Sequence, residues 1–243
     1  MNVWAITDKG IVRQQNQDTY YSYCDDVRGR ALLLVCDGMG GANAGNVASS
    51  VAVDVFVEAA KAICSEDAEP DLPELMRHAF QTANSRVFEM SNSNMEYSGM
   101  GTTLVGAAIS GDDTVVINAG DSRAYQISGG AIRQITRDHS VVEDMIARGD
   151  ITREASVHHP RKNLITRALG TTQNISCDVF EPDLKPGDYL VLCSDGLSNI
   201  VTDQEILHEV THSVTLEDAC CNLFNLAMMR GAPDNVTVVL FKK

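Results

Sequence analysis

Four aspartates in this chain border short apolar runs, and a fifth follows a polar stretch. Asp37 follows Ala31–Cys36 and opens Asp37-Gly38-Met39-Gly40-Gly41. Asp121 follows Thr114–Asn118 within Gly120-Asp121-Ser122-Arg123, and Asp195 follows Tyr189–Cys193 within Ser194-Asp195-Gly196. Asp234-Asn235 opens the last apolar run, and Asp18 comes just after Arg13-Gln14-Gln15-Asn16-Gln17. One Asp-Gly alone is ordinary turn chemistry, because the short carboxylate bonds nearby backbone amides. Five such sites in one chain point instead to a shared task. Two carboxylates ~4 Å apart repel by about 1 kcal/mol in water and about 4 kcal/mol at a protein-like dielectric. Gathered together they raise one another's pKa values unless divalent cations compensate. Oxygen-only ligation by aspartates, backbone carbonyls and water suits Mg²⁺ or Mn²⁺ better than zinc or copper. The glycines after Asp37 let a carbonyl approach an ion with no Cβ in the way. A pair of ions ~3.5–4 Å apart is the usual clamp for phosphoryl displacement.

The elements that must carry these aspartates are short. Strand-length apolar runs occur at Val3–Thr7, Arg30–Cys36, Thr102–Ile109, Thr114–Asn118, Arg123–Ile127, Cys177–Phe180, Tyr189–Cys193 and Asn235–Phe241. Each is bounded by Gly, Asp, Asn or Pro. Ser128-Gly129-Gly130 predicts a hairpin turn between Arg123–Ile127 and Ala131–Ile135. Two helices interrupt the strands. Val47, Val51, Val55, Ala59 and Ile63 repeat every four residues, and Leu72, Leu75/Met76, Ala79/Phe80, Ala83 and Val87/Phe88 step at helical spacing. Two more helices start at Thr202, with Glu205 completing a capping box, and near Thr215, running to about Arg230. Strands joined by short turns imply antiparallel sheets. Sheets packed on one face and covered by helices on the other give an α+β fold, a layered helix–sheet–sheet–helix sandwich. The acidic stretch Ser65–Pro73 reads as the loop between the first two helices. Val141–Leu164, short-helical, polar and ending in Arg161-Lys162, reads as a surface insertion.

Composition narrows the function classes. The 243 residues carry 33 Asp or Glu against 19 Lys or Arg, a net charge of −14. Nucleic acids and anionic membranes both demand cationic surface, so neither is an expected partner. No glycine-free apolar run exceeds the six residues of Ala31–Cys36, far short of the ~20 that span a bilayer. The N-terminus shows neither a basic region nor an apolar core of a signal peptide. The seven cysteines include no Cys-x-x-Cys and read as reduced, mostly buried thiols, so a cytoplasmic location is expected.

The motifs together resemble a family. Arg13-x-x-Asn16-x-Asp18, Asp37-Gly38-Met39-Gly40-Gly41, Gly99-Met100-Gly101-Thr102-Thr103, Gly120-Asp121-Ser122-Arg123 and Asp138-His139-Ser140 are similar to those of bacterial type-2C, metal-dependent protein serine/threonine phosphatases of the PPM family. His159-Pro160-Arg161-x-Asn163, Ala168-Leu169-Gly170, Ser194-Asp195-Gly196-Leu197 and Asp234-Asn235-Val236-Thr237 continue the match in family order. The resemblance covers residues 1–243 and implies one catalytic domain with the four-layer αββα sandwich. It implies that Asp37 bridges two Mn²⁺ or Mg²⁺ ions, that Gly38 lends its carbonyl to the second, and that Asp195 and Asp234 hold the first. Asp121, with Asp195 sharing, matches a weaker third metal site, and Asp18 stands behind the ligands, acting through bound water. Arg13 aligns with the arginine that grips phosphate. The Val141–Leu164 insertion takes the place of the family's flap. The implied reaction is hydrolysis of phosphoserine and phosphothreonine by a hydroxide bridging the ions, with no phospho-enzyme. Phosphoproteins, among them a eukaryotic-like Ser/Thr kinase and its targets, are the implied partners, and monomer is the default state. Gln17, Met39, Ala42 and Asn46 depart from the family. Met39 replaces a histidine proposed as general acid in eukaryotic members, and methionine cannot donate a proton.

Two rival readings remain. His208-Glu209-Val210-Thr211-His212 matches the H-E-x-x-H zinc-protease pattern, yet no histidine follows His212 to complete a site. Ile206, Leu207 and Val210 supply that helix's buried face, which leaves both histidines to solvent. The other rival is a phospho-dependent binding module, against which stands the intact set of ligand positions. A nucleotide hydrolase is not supported, because Gly38–Gly45 lacks the Gly-Lys-Ser/Thr ending of a P-loop.

Overall fold

A computed structural model describes residues 1–41, 44–65, 70–93, 95–156 and 159–243. Ala42, residues 66–69 of the acidic run 65–73, and residues 157–158 of the 141–164 segment lie outside the described residues. The chain opens with β1 (Asn2–Asp8), β2 (Asp18–Asp25) and β3 (Arg30–Met39), followed by α1 (Ala44–Ala59) and α2 (Leu72–Ser93). Strands β4 (Gly101–Thr102), β5 (Leu104–Ser110), β6 (Asp113–Ala119), β7 (Arg123–Ser128) and β8 (Ala131–Gln134) come next. After α3 (Val141–Arg148) and α4 (Arg153–Ser156) the chain returns through β9 (Asp178–Phe180) and β10 (Tyr189–Cys193). It finishes with α5 (Asp195–Ser198), α6 (Asp203–His212), α7 (Leu216–Met229) and β11 (Val236–Lys242).

The strands form two antiparallel sheets. One runs β1-β11-β10-β7-β8, the other β2-β3-β5-β6-β9 with β4 paired to β3. Central strands are buried on both faces, and this is why their sequences are nearly continuous apolar runs. On β3, Leu32, Leu34 and Cys36 pack under α1 and α2, whereas Ala31, Leu33 and Val35 face the other sheet. On β11, Val236, Val238 and Leu240 pack under α6 and α7, while Val239 and Phe241 meet Leu33 and Val35 in the inter-sheet core. The result is the expected α+β sandwich of helices, sheet, sheet and helices. Among the described residues no helix is long and apolar enough to cross a membrane.

Local chemistry explains the element ends. Thr202 and Thr215 each accept the backbone N–H three residues on, and Glu205 and Asp218 reciprocate, forming two capping boxes. Gly129 and Gly130, at φ 58° and 79°, make the two-residue turn between β7 and β8.

Three expectations need correction. The strand β2 was not among the predicted ones: Asp18–Asp25 is a half-buried edge strand whose three tyrosines, Thr and Ser show no clean alternation. Asp37 and Gly38 lie inside β3, which runs on past Cys36 to Met39, because pairing with β2 and β4 extends the ladder. The most buried stripe of α1 is Ala48, Ala52 and Phe56, beside the predicted valines, because the helix packs on α2 and the sheet together. The 141–164 segment leaves and rejoins the fold at one point, where Val141 N–H donates to the Leu164 carbonyl at 2.8 Å and Ser140 bridges Ile165.

Candidate metal centre

Each predicted aspartate is delivered by a different junction. Asp18 begins β2 and lies directly opposite Asp37 on β3. Asp121 sits in the turn that carries the chain from β6 in one sheet to β7 in the other. Asp195 is the first residue of α5, immediately beyond β10, and Asp234 lies just ahead of β11. A cavity of about 300 Å³ is lined by Arg13, Asp37, Gly38, Asp121, Asp195 and Asp234, so the structure brings these six together. Asp18 does not line it. It is buried behind Asp37, where Ser194 Oγ and Thr237 Oγ1 both donate to its Oδ2 at 2.7 Å. A wider hollow of about 1000 Å³ lies at the far ends of β2 and β3, and its Arg28 and Arg30 are engaged with Asp25 and with backbone carbonyls.

Gly38 is required by space. A Cβ there would stand 2.0 Å from the Gly45 carbonyl oxygen and 2.7 Å from that of Gln17, which already accepts the Gly38 N–H at 3.1 Å. The missing side chain lets the start of α1 close over the Asp37-Gly38 backbone. Thr103 fixes the other side: its Oγ1 accepts the Asp37 N–H at 2.9 Å and contacts Ser122 Oγ at 2.7 Å. Asn235 fastens the Arg13 loop, its Oδ1 accepting the Gln17 N–H at 2.8 Å and its Nδ2 donating to the Gln15 and Lys9 carbonyls. Arg13 Nη2 reaches Asp234 Oδ2 at 2.8 Å.

The electrostatics are those of a crowded anionic site. Burial pushes the Asp18 carboxyl up to about 7 against the pull of its two hydroxyl donors, and the charges of Asp195 and Asp234 add to the rise. Asp121 is pushed up to about 7 by burial first, then by Asp195 and Asp138. Asp37 lies well above the ordinary carboxylate range through burial and the neighbouring Asp18 and Asp195. Asp195 is raised by burial and by Asp234, while a hydrogen-bond contact with Asp37 pulls the other way. Among the described residues, the buried Oδ1 atoms of Asp18 and Asp195 have no hydrogen-bond partner. A buried carboxylate oxygen without a donor costs free energy that a cation recovers.

These features fit a divalent ion. Among the described residues no group of three or more His, Cys, Asp or Glu side chains stands at metal-holding spacing. The cavity instead gathers four aspartates, Asp37, Asp121, Asp195 and Asp234, beside Gly38 and Gly40, an oxygen-rich lining that suits ions that keep several waters.

Sequence spacing assigned no task to Ser194, Thr237, Thr103 or Asn235, though all lie in the quoted motifs. Met39, Gln17 and Asn163 line the cavity. His208 and His212 are exposed and stack on each other at 4.3 Å, away from any third ligand in the described residues.

Residues 11–227 match the family model described as Protein phosphatase 2C. The chain belongs to that family. It is a protein serine/threonine phosphatase, a hydrolase of phosphoric monoesters. The phosphatase stp of Listeria monocytogenes is 35% identical over 237 residues, spanning 98% of this chain and 94% of its own. The solved structure of Stp1 from Staphylococcus aureus superposes with a TM-score of 0.91 at 36% identity, covering 99% of this chain and 94% of that one. The catalytic domain of PstP, solved in complex with two manganese ions, superposes at 0.86 with 32% identity, covering 98% of this phosphatase and 96% of that chain.

Proposed function

We propose that this phosphatase hydrolyses phosphoserine and phosphothreonine in proteins with two divalent ions, Mn²⁺ or Mg²⁺, held at the aspartate cluster. Asp37 would serve both ions, the Gly38 carbonyl would serve the second, and Asp195 and Asp234 would serve the first. Asp121, sharing Asp195, would hold a third ion more weakly. The observation that carries this reading is the convergence of four carboxylates with raised pKa values and two unpartnered buried oxygens on one junction. The manganese pair in the PstP structure supports the choice of ion. Bound there, the ions would supply a water acidic enough to attack phosphorus near neutral pH and would neutralise phosphoryl charge.

The chain's own groups do the rest. Arg13, with about half of its side chain exposed at the cavity mouth, presents a planar fork to two phosphoryl oxygens. Asp18, fixed by Ser194 and Thr237 behind Asp37, has an Oδ1 without a partner among the described residues and would act on the ions only through water. Met39 lines the cavity but has no proton to give, so the leaving alkoxide takes its proton from water. Residues 1–243 act as one catalytic unit, with 141–164 as a flap beside the cavity, and the protein acts as a monomer. Its partners are phosphoproteins, including a Ser/Thr kinase and that kinase's targets. All seven cysteines are free thiols, which supports a reducing, cytoplasmic setting.

The test is phosphate release from a phosphothreonine peptide with Mn²⁺, with EDTA, and with Zn²⁺ in place of Mn²⁺. Release is expected with Mn²⁺ and lost with EDTA and in Asp195→Ala. A folded protein inert with every metal would overturn the reading and turn attention to phosphopeptide binding.

A further inference from the structure

A histidine outside the cavity joins the Asp121 turn to the far end of the flap. His139 is buried, and its Nδ1 accepts the Gly120 N–H at 3.1 Å. A backbone amide can only donate, so Nδ1 carries no proton and the ring hydrogen sits on Nε2. That Nε2 lies 3.1 Å from Asp178 Oδ2 and donates to it. The other oxygen of Asp178 accepts from Arg167 Nη1 at 2.7 Å. The main chain repeats the tie: His139 N–H donates to the Gly120 carbonyl at 2.9 Å, and Thr166 N–H donates to the His139 carbonyl at 2.8 Å. Thr166 and Arg167 lie just beyond the point where the 141–164 segment rejoins the fold.

Opposite His139 the same turn is wedged against Thr103. Gly120 has φ +119°, and a Cβ there would stand 2.6 Å from the Thr103 side chain. The Gly120-Asp121 backbone is therefore clamped between Thr103, which also holds Asp37, and His139. Among the described residues no other side chain hydrogen-bonds the Asp121 carboxylate, which is met by its own backbone N–H, so its aim depends on this clamp.

We propose that His139 is a positioning residue for the ion at Asp121, and that the Arg167–Asp178–His139 chain transmits the seating of the flap's exit to that ion. This rests on the metal reading above and deepens it. Partners of this kind behind metal ligands typically change affinity by about 10–100-fold when removed.

The probe is Mn²⁺ alone, titrated by calorimetry into the metal-stripped full chain. His139→Phe keeps a ring and removes both nitrogens; His139→Asn can place its amide oxygen where Nδ1 accepts. His139→Phe is expected to weaken the weakest class of Mn²⁺ site by about 10-fold or more. His139→Asn should restore most of that loss, and both should leave the tighter sites within about twofold. If His139→Phe does not fold, Asp178→Leu, which removes the acceptor for Nε2–H, is expected to weaken the same class. A folded His139→Phe that binds Mn²⁺ like the parent overturns the proposal, as does a uniform loss across all sites. A parent chain with tight sites and no weak class overturns it while sparing the phosphatase reading. A parent chain that binds no Mn²⁺ overturns both.

Discussion

Replacing Gly38 with alanine tests whether the Asp37-Gly38 backbone owes its place to the absence of a side chain. Gly38 lies in β3 with an ordinary φ, so alanine meets no torsional obstacle there. The obstacle is contact. The new Cβ would lie 2.0 Å from the Gly45 carbonyl oxygen, 2.5 Å from its carbon and 2.7 Å from the Gln17 carbonyl oxygen. Comfortable heavy-atom contacts are roughly 3.5 Å, so the overlap with Gly45 exceeds about 1 Å and falls on backbone that cannot rotate away. Either α1 lifts at its start or β3 bows, and both loosen the Ala48 and Ala52 contacts beneath the helix. Overpacking typically costs about 1–3 kcal/mol, and rigid partners on two sides put this case at roughly 3 kcal/mol or more. That is a large part of the about 5–15 kcal/mol that holds a domain folded. Gly41, three residues on in the same motif, is the internal control: a Cβ there meets nothing within 4 Å among the described residues. Urea unfolding of Gly38→Ala and Gly41→Ala beside the parent reads both. Gly41→Ala should stay within about 0.5 kcal/mol, and Gly38→Ala should drop by the larger amount and lose Mn²⁺ affinity with it. Equal midpoints for the two variants would refute the steric argument.

Acidity should stabilise the metal-stripped chain. Asp18 and Asp121, each raised to about 7, keep protons in the folded state that the unfolded chain releases near its ordinary value of 3.8. The folded state thus binds more protons between roughly pH 4 and 7, so stability falls as pH rises through that window and levels off above it, by up to about 1.4 kcal/mol per pH unit per group. Melting temperatures in EDTA between pH 5.5 and 7.5 should fall relative to those in Mn²⁺; a relative rise would contradict the burial argument. His212→Ala should leave phosphate release unchanged and stability within about 0.5 kcal/mol, because His212 is exposed and, among the described residues, bonds only within its own helix. Loss of activity in a folded His212→Ala would revive the zinc-protease pattern.

The parts of the fold that could be read from sequence are those with local chemistry or two-sided burial. Thr202 with Glu205 and Thr215 with Asp218 announce helix starts because both partners lie within one turn. Ala31–Cys36 announces a strand because alternate residues face two different apolar layers. Strand β2 stayed hidden for the opposite reason. At the sheet edge its residues Asp18–Asp25 need only half-burial, and hydroxyl-bearing Tyr20, Tyr21 and Tyr23 satisfy that without periodic signal. The buried face of α1 was displaced by one residue because Ala48 and Ala52 permit close packing that the neighbouring valines, more conspicuous in sequence, do not.

The site divides along the same line. Four of its aspartates could be found because each borders an apolar run, and Asp18 only through its motif with Arg13 and Asn16. The groups that hold them could not, because Ser194 and Thr237 reach Asp18 across 176 and 219 residues of chain. No spacing rule links positions so far apart; only the meeting of β2, β10 and β11 does. This dependence has a physical consequence. Carboxylates held close at one junction repel, so the site is the region where folding gains least without cations and most with them. The sandwich supplies the surplus through its three apolar layers, and the rigid strand ends then keep the carboxylates converged instead of letting them turn out to solvent. Divalent ions should therefore order the junction residues locally, with the sheets already formed, and amide exchange should slow at Gly38, Asp121 and Asp195 well before it changes at Leu33 or Val239.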